Sequence, residues 1–372
     1  MPDYLRLIAL FGIVVVNVQF MAYSSLEGFF AATVAGPVDA GAVWLVDGLA
    51  ATKTYGLFSF MFGVGLAYQM RAAEKRGLPF AKLYRNRMLG LILLGLLHGC
   101  LFFPYDILLV YGLAGTLLYW LRNSTVARLV RIGAVLLVMQ ALLFAALFLV
   151  PEPPADVGEI EQTVLTQGGW SDVITFRAIT FANVFPILLV VQGLSALGWF
   201  CLGLAAVRSG VIDTPGHPVW ARARRWCLGP GVGLSLLGAG LWHWGPEDVG
   251  KILVSAAAPI ATLGYLGGIA AIARAPSRVM ARLLNAGGSS LSVYLGQSIV
   301  LTTIFSPYGL GLWDAVGPAA AVGIAIAVTV GLILLLALWR VRFALGPFEW
   351  VLRRITRLGV RPAAAQPSQS RG

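Results

Sequence analysis

The chain has 372 residues, of which 58% are hydrophobic and only 12% charged, and its mean hydropathy is +0.82. Soluble globular domains carry about 25% charged residues, so the composition excludes an ordinary soluble enzyme and points to a polytopic membrane protein. A net charge of +11 would also suit nucleic-acid binding, but the basic residues sit in short clusters between apolar runs, which is the pattern of membrane orientation.

A membrane span needs about 20 apolar residues. Taken in chain order, the runs lie at 5–23, 55–70, 88–103, 107–121, 130–150, 179–207, 227–244, 252–273, 291–304 and 319–339. The second is short and is expected to extend back through residues 44–51. The sixth is long and holds Pro186, which predicts a kink or tilt. The first lacks a basic lead and a small-residue cleavage site, so it reads as a retained span rather than a signal peptide. The expectation is an all-α polytopic domain of about ten spans over residues 1–358, with a disordered tail at 359–372 ending in PAAAQPSQSRG.

All basic residues except Arg6, Lys53, Arg177 and Lys251 fall in alternate connections or in the C-terminal tail. The remaining connections are nearly free of them, so both termini are expected in the cytoplasm. One of those poor connections, 151–176, carries Glu152, Asp156, Glu159, Glu161 and Asp172 and no basic residue. It reads as a solvated acidic loop or as a lid with Trp170 dipping into the interface. Cys100, Cys201 and Cys227 have no metal-ligand spacing and read as small buried hydrophobes. No phosphate-cradling loop, zinc signature or serine-nucleophile elbow occurs, and no metal site is expected.

The stretch 85–120, RNRMLGLILLGLLHGCLFFPYDILLVYGLAGTLLYW, concentrates the chemistry. His98 lies within an apolar helix, and Asp106 opens the next one across a turn. Ionisable residues are costly in hydrocarbon. His98 is either bonded to a neighbouring helix or a general base, since histidine titrates near neutral pH. Asp106 either orients the imidazole or caps its own helix. Tyr105 and Tyr111 are donors or interface anchors.

Asp3 and Arg6 share a helix face and form a local ion pair or an anion site. Asn17 and Gln19 extend a polar flank up the same span, while Asp47 and Lys53 pair at the outer end of span two. Tyr294, Gln297 and Ser298 recur at helical spacing, as glue between helices or as a cavity wall. His217 and His243 have no partner that the sequence identifies.

Several ordered blocks resemble the YeiB-like bacterial membrane proteins, the family catalogued as domain of unknown function 418. They are Asp3, Leu5, Arg6, Ala9, Leu10, Gly12, Ile13 and Asn17; Lys53, Leu57, Phe58, Ser59, Phe62, Gly63 and Gly65; Gly95, His98, Asp106, Ile107, Leu108 and Tyr111. Near the C-terminus come Leu291, Ser292, Tyr294, Gln297 and Ser298, then Gly346, Pro347, Glu349 and Trp350. The chain departs from the pattern at Leu7, where the family has glycine, and at Gly287, Gly288, Ser289 and Val293, where an arginine and an asparagine are missing. The first-span motif is similar to transmembrane acyltransferases of the heparan-glucosaminide and sugar O-acyltransferase type. That resemblance implies acyl transfer from a cytoplasmic thioester donor, such as acyl-CoA, to an acceptor at the outer face. His98 would be base or acyl relay and Asp106 its orienting group, with Arg6 or Lys53 meeting anionic donor groups. Asp3, Asn17, Tyr111, Tyr294, Gln297 and Ser298 would complete the donor and substrate site. No tightly bound cofactor is expected. The implied partners are the bilayer of the bacterial inner membrane, a small-molecule, lipid or sugar acceptor, and a second copy of the chain. The competing expectation is a transporter of a small anionic solute using the same polar residues.

Overall fold

The computed structural model describes residues 1–25, 27–29, 31–149, 157–273 and 288–360. The described residues are helical almost throughout and contain no strand. The helices are α1 (Pro2–Asn17), α2 (Gln19–Ala22), α3 (Pro37–Leu45), α4 (Lys53–Glu74), α5 (Phe80–Leu101), α6 (Ile107–Leu121), α7 (Val126–Phe148) and α8 (Val157–Gln167). They continue with α9 (Trp170–Arg208), α10 (Pro218–Ala223), α11 (Gly229–Trp244), α12 (Glu247–Ile272), α13 (Ser290–Phe305), α14 (Pro318–Arg342) and α15 (Pro347–Thr356). The apolar runs in the sequence fall on these helices, the first across both α1 and α2. Among the described residues, five are long and apolar enough to cross a membrane: Pro2–Ala22, Val126–Leu147, Trp170–Arg208, Glu247–Ile272 and Pro318–Arg342. The chain is thus an all-α protein of membrane type.

Local sequence explains where several helices start. Gly36-Pro37, Gly317-Pro318 and Gly346-Pro347 open α3, α14 and α15, because proline at the first helical position loses an N–H that would have no partner anyway. Thr125 caps α7 by accepting the N–H of Arg128.

Two sequence expectations are corrected. Residues 44–51 do not extend the second span. They belong to α3 and a π-helical turn at Val46–Ala50, separated from α4 by Thr52 at φ +66°. A β-branched residue seldom adopts that region, at a cost of about 1–3 kcal/mol, so a specific break is built there. Second, the described part of the acidic connection is helical rather than a loop. Residues 157–167 are helical, and α9 begins at Trp170, whose ring is exposed. Glu161 is buried and accepts from the Ser25 amide at 2.7 Å and the Ser24 hydroxyl at 2.9 Å, which docks α8 on the segment after α2. Glu152 and Asp156 lie outside the described residues, as does the tail beyond residue 360. The long sixth run lies on α9, which continues for 39 residues as one helix with Pro186 inside it. At 1.5 Å per residue that is about 58 Å, well beyond the roughly 30 Å hydrocarbon core.

The arginine-bearing connections meet one another at one end of the bundle. Arg71 pairs with Asp213, Arg208 donates to the carbonyls of Arg122 and Ser124, and Lys82 donates to the carbonyl of Gly359. Buried apolar residues form two clusters, and their boundary in α1 falls between Ile13 and Val14. The cluster towards the arginine-rich end joins α1, α4, α5, α6, α9 and the start of α13. The other joins the end of α1, α3 and the facing parts of α13 and α14. In the apolar window of α1, 61% is buried, against 22% in α7 and 28% in α14. The first helix therefore runs through the centre and the other two lie at the periphery.

Helix packing in hydrocarbon depends on close van der Waals approach rather than on expelling water. The tightest crossing is reciprocal. A Cβ on Gly63 of α4 would stand 2.0 Å from the Phe200 carbonyl oxygen, and one on Gly203 of α9 would stand 2.0 Å from that of Phe60. Nothing lies within 4 Å of a Cβ placed on Gly233 of α11. Gly63→Ala should therefore lower the thermal unfolding midpoint in detergent by the equivalent of about 1–3 kcal/mol. Gly233→Ala should be neutral or stabilising by up to about 1 kcal/mol, since alanine is the better helix former. Equal effects of the two substitutions would contradict this account of the crossing.

Candidate functional site

The site begins with Gly95. A Cβ there would lie 2.3 Å from the Leu109 nitrogen and 2.6 Å from Asp106 Oδ2, so only glycine lets the start of α6 come this close to α5. His98 is one turn further along the same face. After Leu101 the chain turns sharply, with the amides of Phe102 and Phe103 both donating to the His98 carbonyl at 2.9 Å. That turn returns Asp106 to the imidazole.

The Asp106 carboxylate has two roles that the sequence left as alternatives. Its Oδ2 accepts the Leu109 N–H at 2.8 Å and caps α6; its Oδ1 meets His98 Nδ1 at 2.7 Å. Both side chains are almost fully buried, His98 at 2% exposure and Asp106 at 0%. A carboxylate can only accept, so the imidazole proton sits on Nδ1. His98 Nε2, the basic lone pair in that tautomer, is buried without a hydrogen-bond partner. Leaving such an atom unsatisfied costs about 1–3 kcal/mol.

Tyr294 of α13 completes the cluster. Its hydroxyl lies 3.4 Å from Asp106 Oδ1, and its ring centroid is 5.2 Å from that of His98. Tyr111, five residues after Asp106 on α6, bonds the Ser59 hydroxyl at 2.7 Å and lies 3.4 Å from the Tyr55 carbonyl. The Tyr55 hydroxyl donates to Asn17 Oδ1. Asn17, Tyr55, Ser59, Tyr111 and Tyr294 thus form one polar layer across α1, α4, α6 and α13. Asn17 is about 17 Å along α1 from Arg6 at 1.5 Å per residue, so the layer lies well inside the bundle.

Two cavities approach this layer from opposite ends. One, of about 590 Å³, opens at the arginine-rich end and is lined by Arg6, Arg76, Arg87, Arg353 and Arg357, and deeper in by Phe58, Phe62, Leu108, Tyr111 and Tyr294. The other, of about 760 Å³, has Glu27, Glu161, Glu247 and Lys251 among its walls and reaches Thr52, Tyr55 and Ile107. The neighbouring residues Ile107 and Leu108 line different cavities, and Tyr55 lines one while Tyr111 and Tyr294 line the other. His98 lines neither; the arginine-rich cavity stops one ring short of it, at Tyr294. A larger groove, about 1230 Å³, runs between α5, α6 and α9 with apolar walls and contains none of these paired residues.

The other sequence candidates are distributed differently. Arg6 pairs with Asp3 at 2.7 Å and lines the arginine-rich cavity. Gln297 bonds Thr329 at 2.8 Å and the Leu10 carbonyl at 3.3 Å, tying α13 to α14 and α1. Ser298 is buried next to it, and its carbonyl accepts from Thr302. Lys53 is completely buried, but its Nζ donates to the Asp47 backbone carbonyl at 2.9 Å rather than to the carboxylate. The Asp47 carboxylate is taken by His243 Nε2 at 2.7 Å, which corrects the expected Asp47–Lys53 side-chain pair. His217 caps α10.

Sequence reasoning missed the part played by Glu349. Both its oxygens cap α13, taking the amides of Leu291 and Ser292 and the Ser292 hydroxyl. Gly346 leaves room for this, since a Cβ there would stand 2.3 Å from Glu349 Oε2. Arg76, Arg87, Arg353 and Arg357 counted only as orientation signals in the sequence, because their convergence comes from three separate helical regions. Burial together with the guanidiniums of Arg357 and Arg76 pulls Arg353 below the ordinary arginine pKa. Among the described residues no group of His, Cys, Asp and Glu could hold a metal ion, and the three cysteines are free.

Residues 206–359 match the family model described as "Protein of unknown function (DUF418)". The chain is 29% identical to the uncharacterized protein YxaH of Bacillus subtilis, an alignment covering 97% of this chain and 95% of the relative. It is 28% identical to the uncharacterized protein YeiB of Escherichia coli, covering 99% and 98%. It is 24% identical to an uncharacterized 39.9 kDa protein from the amylase 3′ region of Bacillus acidopullulyticus, covering 95% and 92%. No solved structure matches it. The similarity runs along nearly the whole length and the family match covers the C-terminal part, so this chain is similar to the YeiB-like proteins of the DUF418 family.

Proposed function

We propose that the chain is an integral-membrane acyltransferase, with His98 as general base and Asp106 as its orienting carboxylate. The observation that carries this reading is the buried His98–Asp106 pair with Nε2 unbonded, set beside a layer that two cavities approach from opposite ends. By the positive-inside rule the arginine-rich end, with both termini, faces the cytoplasm of a bacterial inner membrane. A thioester donor enters from that end and the acceptor occupies the opposite cavity. Asp106 holds the proton on Nδ1, so Nε2 takes the proton of an acceptor hydroxyl as its oxygen attacks the thioester carbonyl. The C–S bond then breaks, and the proton passes from Nε2 to the departing thiolate. Tyr294 stands between the donor cavity and His98, so its ring swings aside as donor enters. Lys53 and Gln297 hold the helices around this layer rather than touching substrate.

Two cavities divided by a single layer of side chains also suit a transporter of a small solute. An unbonded imidazole nitrogen favours chemistry over passage. Protein in nanodiscs, incubated with radiolabelled acetyl-CoA, should label lipid or protein, or hydrolyse the thioester, and His98→Ala should abolish this. No donor turnover in wild type, together with solute uptake in reconstituted vesicles, would establish the transport reading instead. Asp106→Asn tests the two roles of that carboxylate. Asparagine caps helices as well as aspartate does, so the unfolding midpoint should hardly change. Its amide no longer fixes the Nδ1–H tautomer, and turnover should fall at least about a hundredfold.

A further inference from the structure

The arginine-rich cavity holds more positive charge than its own carboxylates neutralise. Guanidiniums reach it from α1 (Arg6), the end of α4 (Arg76), α5 (Arg87) and the α15 region (Arg353, Arg357). Glu349 lines it too, but both oxygens are spent on capping α13. Asp3 is engaged by Arg6. Arg87 Nε is buried with no hydrogen-bond partner. A planar guanidinium fork matches the oxygens of a phosphate group, and five such groups exceed what one monoanion could satisfy. Deeper in, the walls change to Phe58, Phe62, Leu108 and the two tyrosines, which suit an uncharged arm.

We propose that this cavity binds an organic phosphate with more than one phosphate group, its charged end on Arg76, Arg87, Arg353 and Arg357 and its uncharged arm directed at Tyr294. The α15 helix acts as the clamp. Arg353 and Arg357 are four residues apart and share a face. Leu352 holds the helix on α5 where Gly90 leaves room, a Cβ there lying 2.7 Å from the leucine, and Glu349 pins its start to α13. The proposal deepens the acyl-transfer reading, in which this ligand is the acyl carrier, and rests on it only for what the arm delivers.

The ligand could come from solution or from a phospholipid, and the test separates these sources. Protein in phosphatidylcholine nanodiscs is titrated calorimetrically with ADP, coenzyme A and inorganic phosphate, and parallel nanodiscs are doped with phosphatidic acid. ADP or coenzyme A should bind with an affinity that falls as salt rises, and inorganic phosphate should bind at least tenfold more weakly. Arg353→Gln/Arg357→Gln, at exposed positions, should weaken binding at least tenfold without moving the unfolding midpoint, and Arg87→Gln should do the same. Arg85→Gln, exposed and facing the lipid groove, should bind as wild type does. If phosphatidic acid, with its single phosphate, abolishes nucleotide binding, the site belongs to a lipid phosphate and the proposal of a ligand with several phosphates is overturned. If no phosphate compound binds in any arm, or the arginine variants bind as wild type does, the proposal is overturned. Intact binding in wild type and His98→Ala with no acyl turnover in either would sink the enzymatic reading and leave this one standing.

Discussion

The contact between α5 and α6 at Gly95 is the constraint on which the rest of the site depends. A histidine buried in a helix bundle is costly unless its polar atoms are met. Here the partner carboxylate arrives from the next helix, only eight residues later, and can do so because one position on α5 carries no side chain. Asp106 in turn is held by the α6 amide it caps. The imidazole tautomer, the direction of the turn and the start of α6 are therefore fixed by one carboxylate. Moving that helix end by an ångström would break all three.

The same economy recurs at the arginine-rich end. Glu349 caps α13 while tethering α15, and Gly346 makes the room. One carboxylate again sets a helix start and a helix position together. Because α13 carries Tyr294, the tether also bears on the floor of the cavity above it. The polar groups of this protein are few, and most of them hold two elements at once.

How much of this could be read in the sequence varied with the range of the contacts. The apolar runs fell on helices because length and hydropathy are local properties, and 107–121 matches its helix residue for residue. The His98–Asp106 pair was within reach because both residues lie on either side of one short turn. The break at Thr52 was not, since nothing in Ala51-Thr52-Lys53 looks like a turn, and the π-helical turn before it is packed on α11, far along the chain. Asp47 was assigned to Lys53 by proximity, whereas its carboxylate goes to His243, 196 residues away. The arginine cavity stayed hidden for the same reason. Each of its cations has an adequate local explanation as an orientation signal, and only the folded chain brings them to one place.

The thin septum between the cavities has an electrical consequence. Where water enters a bilayer protein from both ends, a transmembrane voltage no longer falls evenly over some 30 Å of hydrocarbon but across whatever dry layer remains. In this chain that layer is the ring of Tyr55, Tyr111 and Tyr294, with the imidazole next to it. A single charge carried the full distance gains about 2.3 kcal/mol per 100 mV. Where water fills both cavities, most of that energy would be available across the layer of side chains between them, and a charged group held there would feel more of the field than one in a solid bundle.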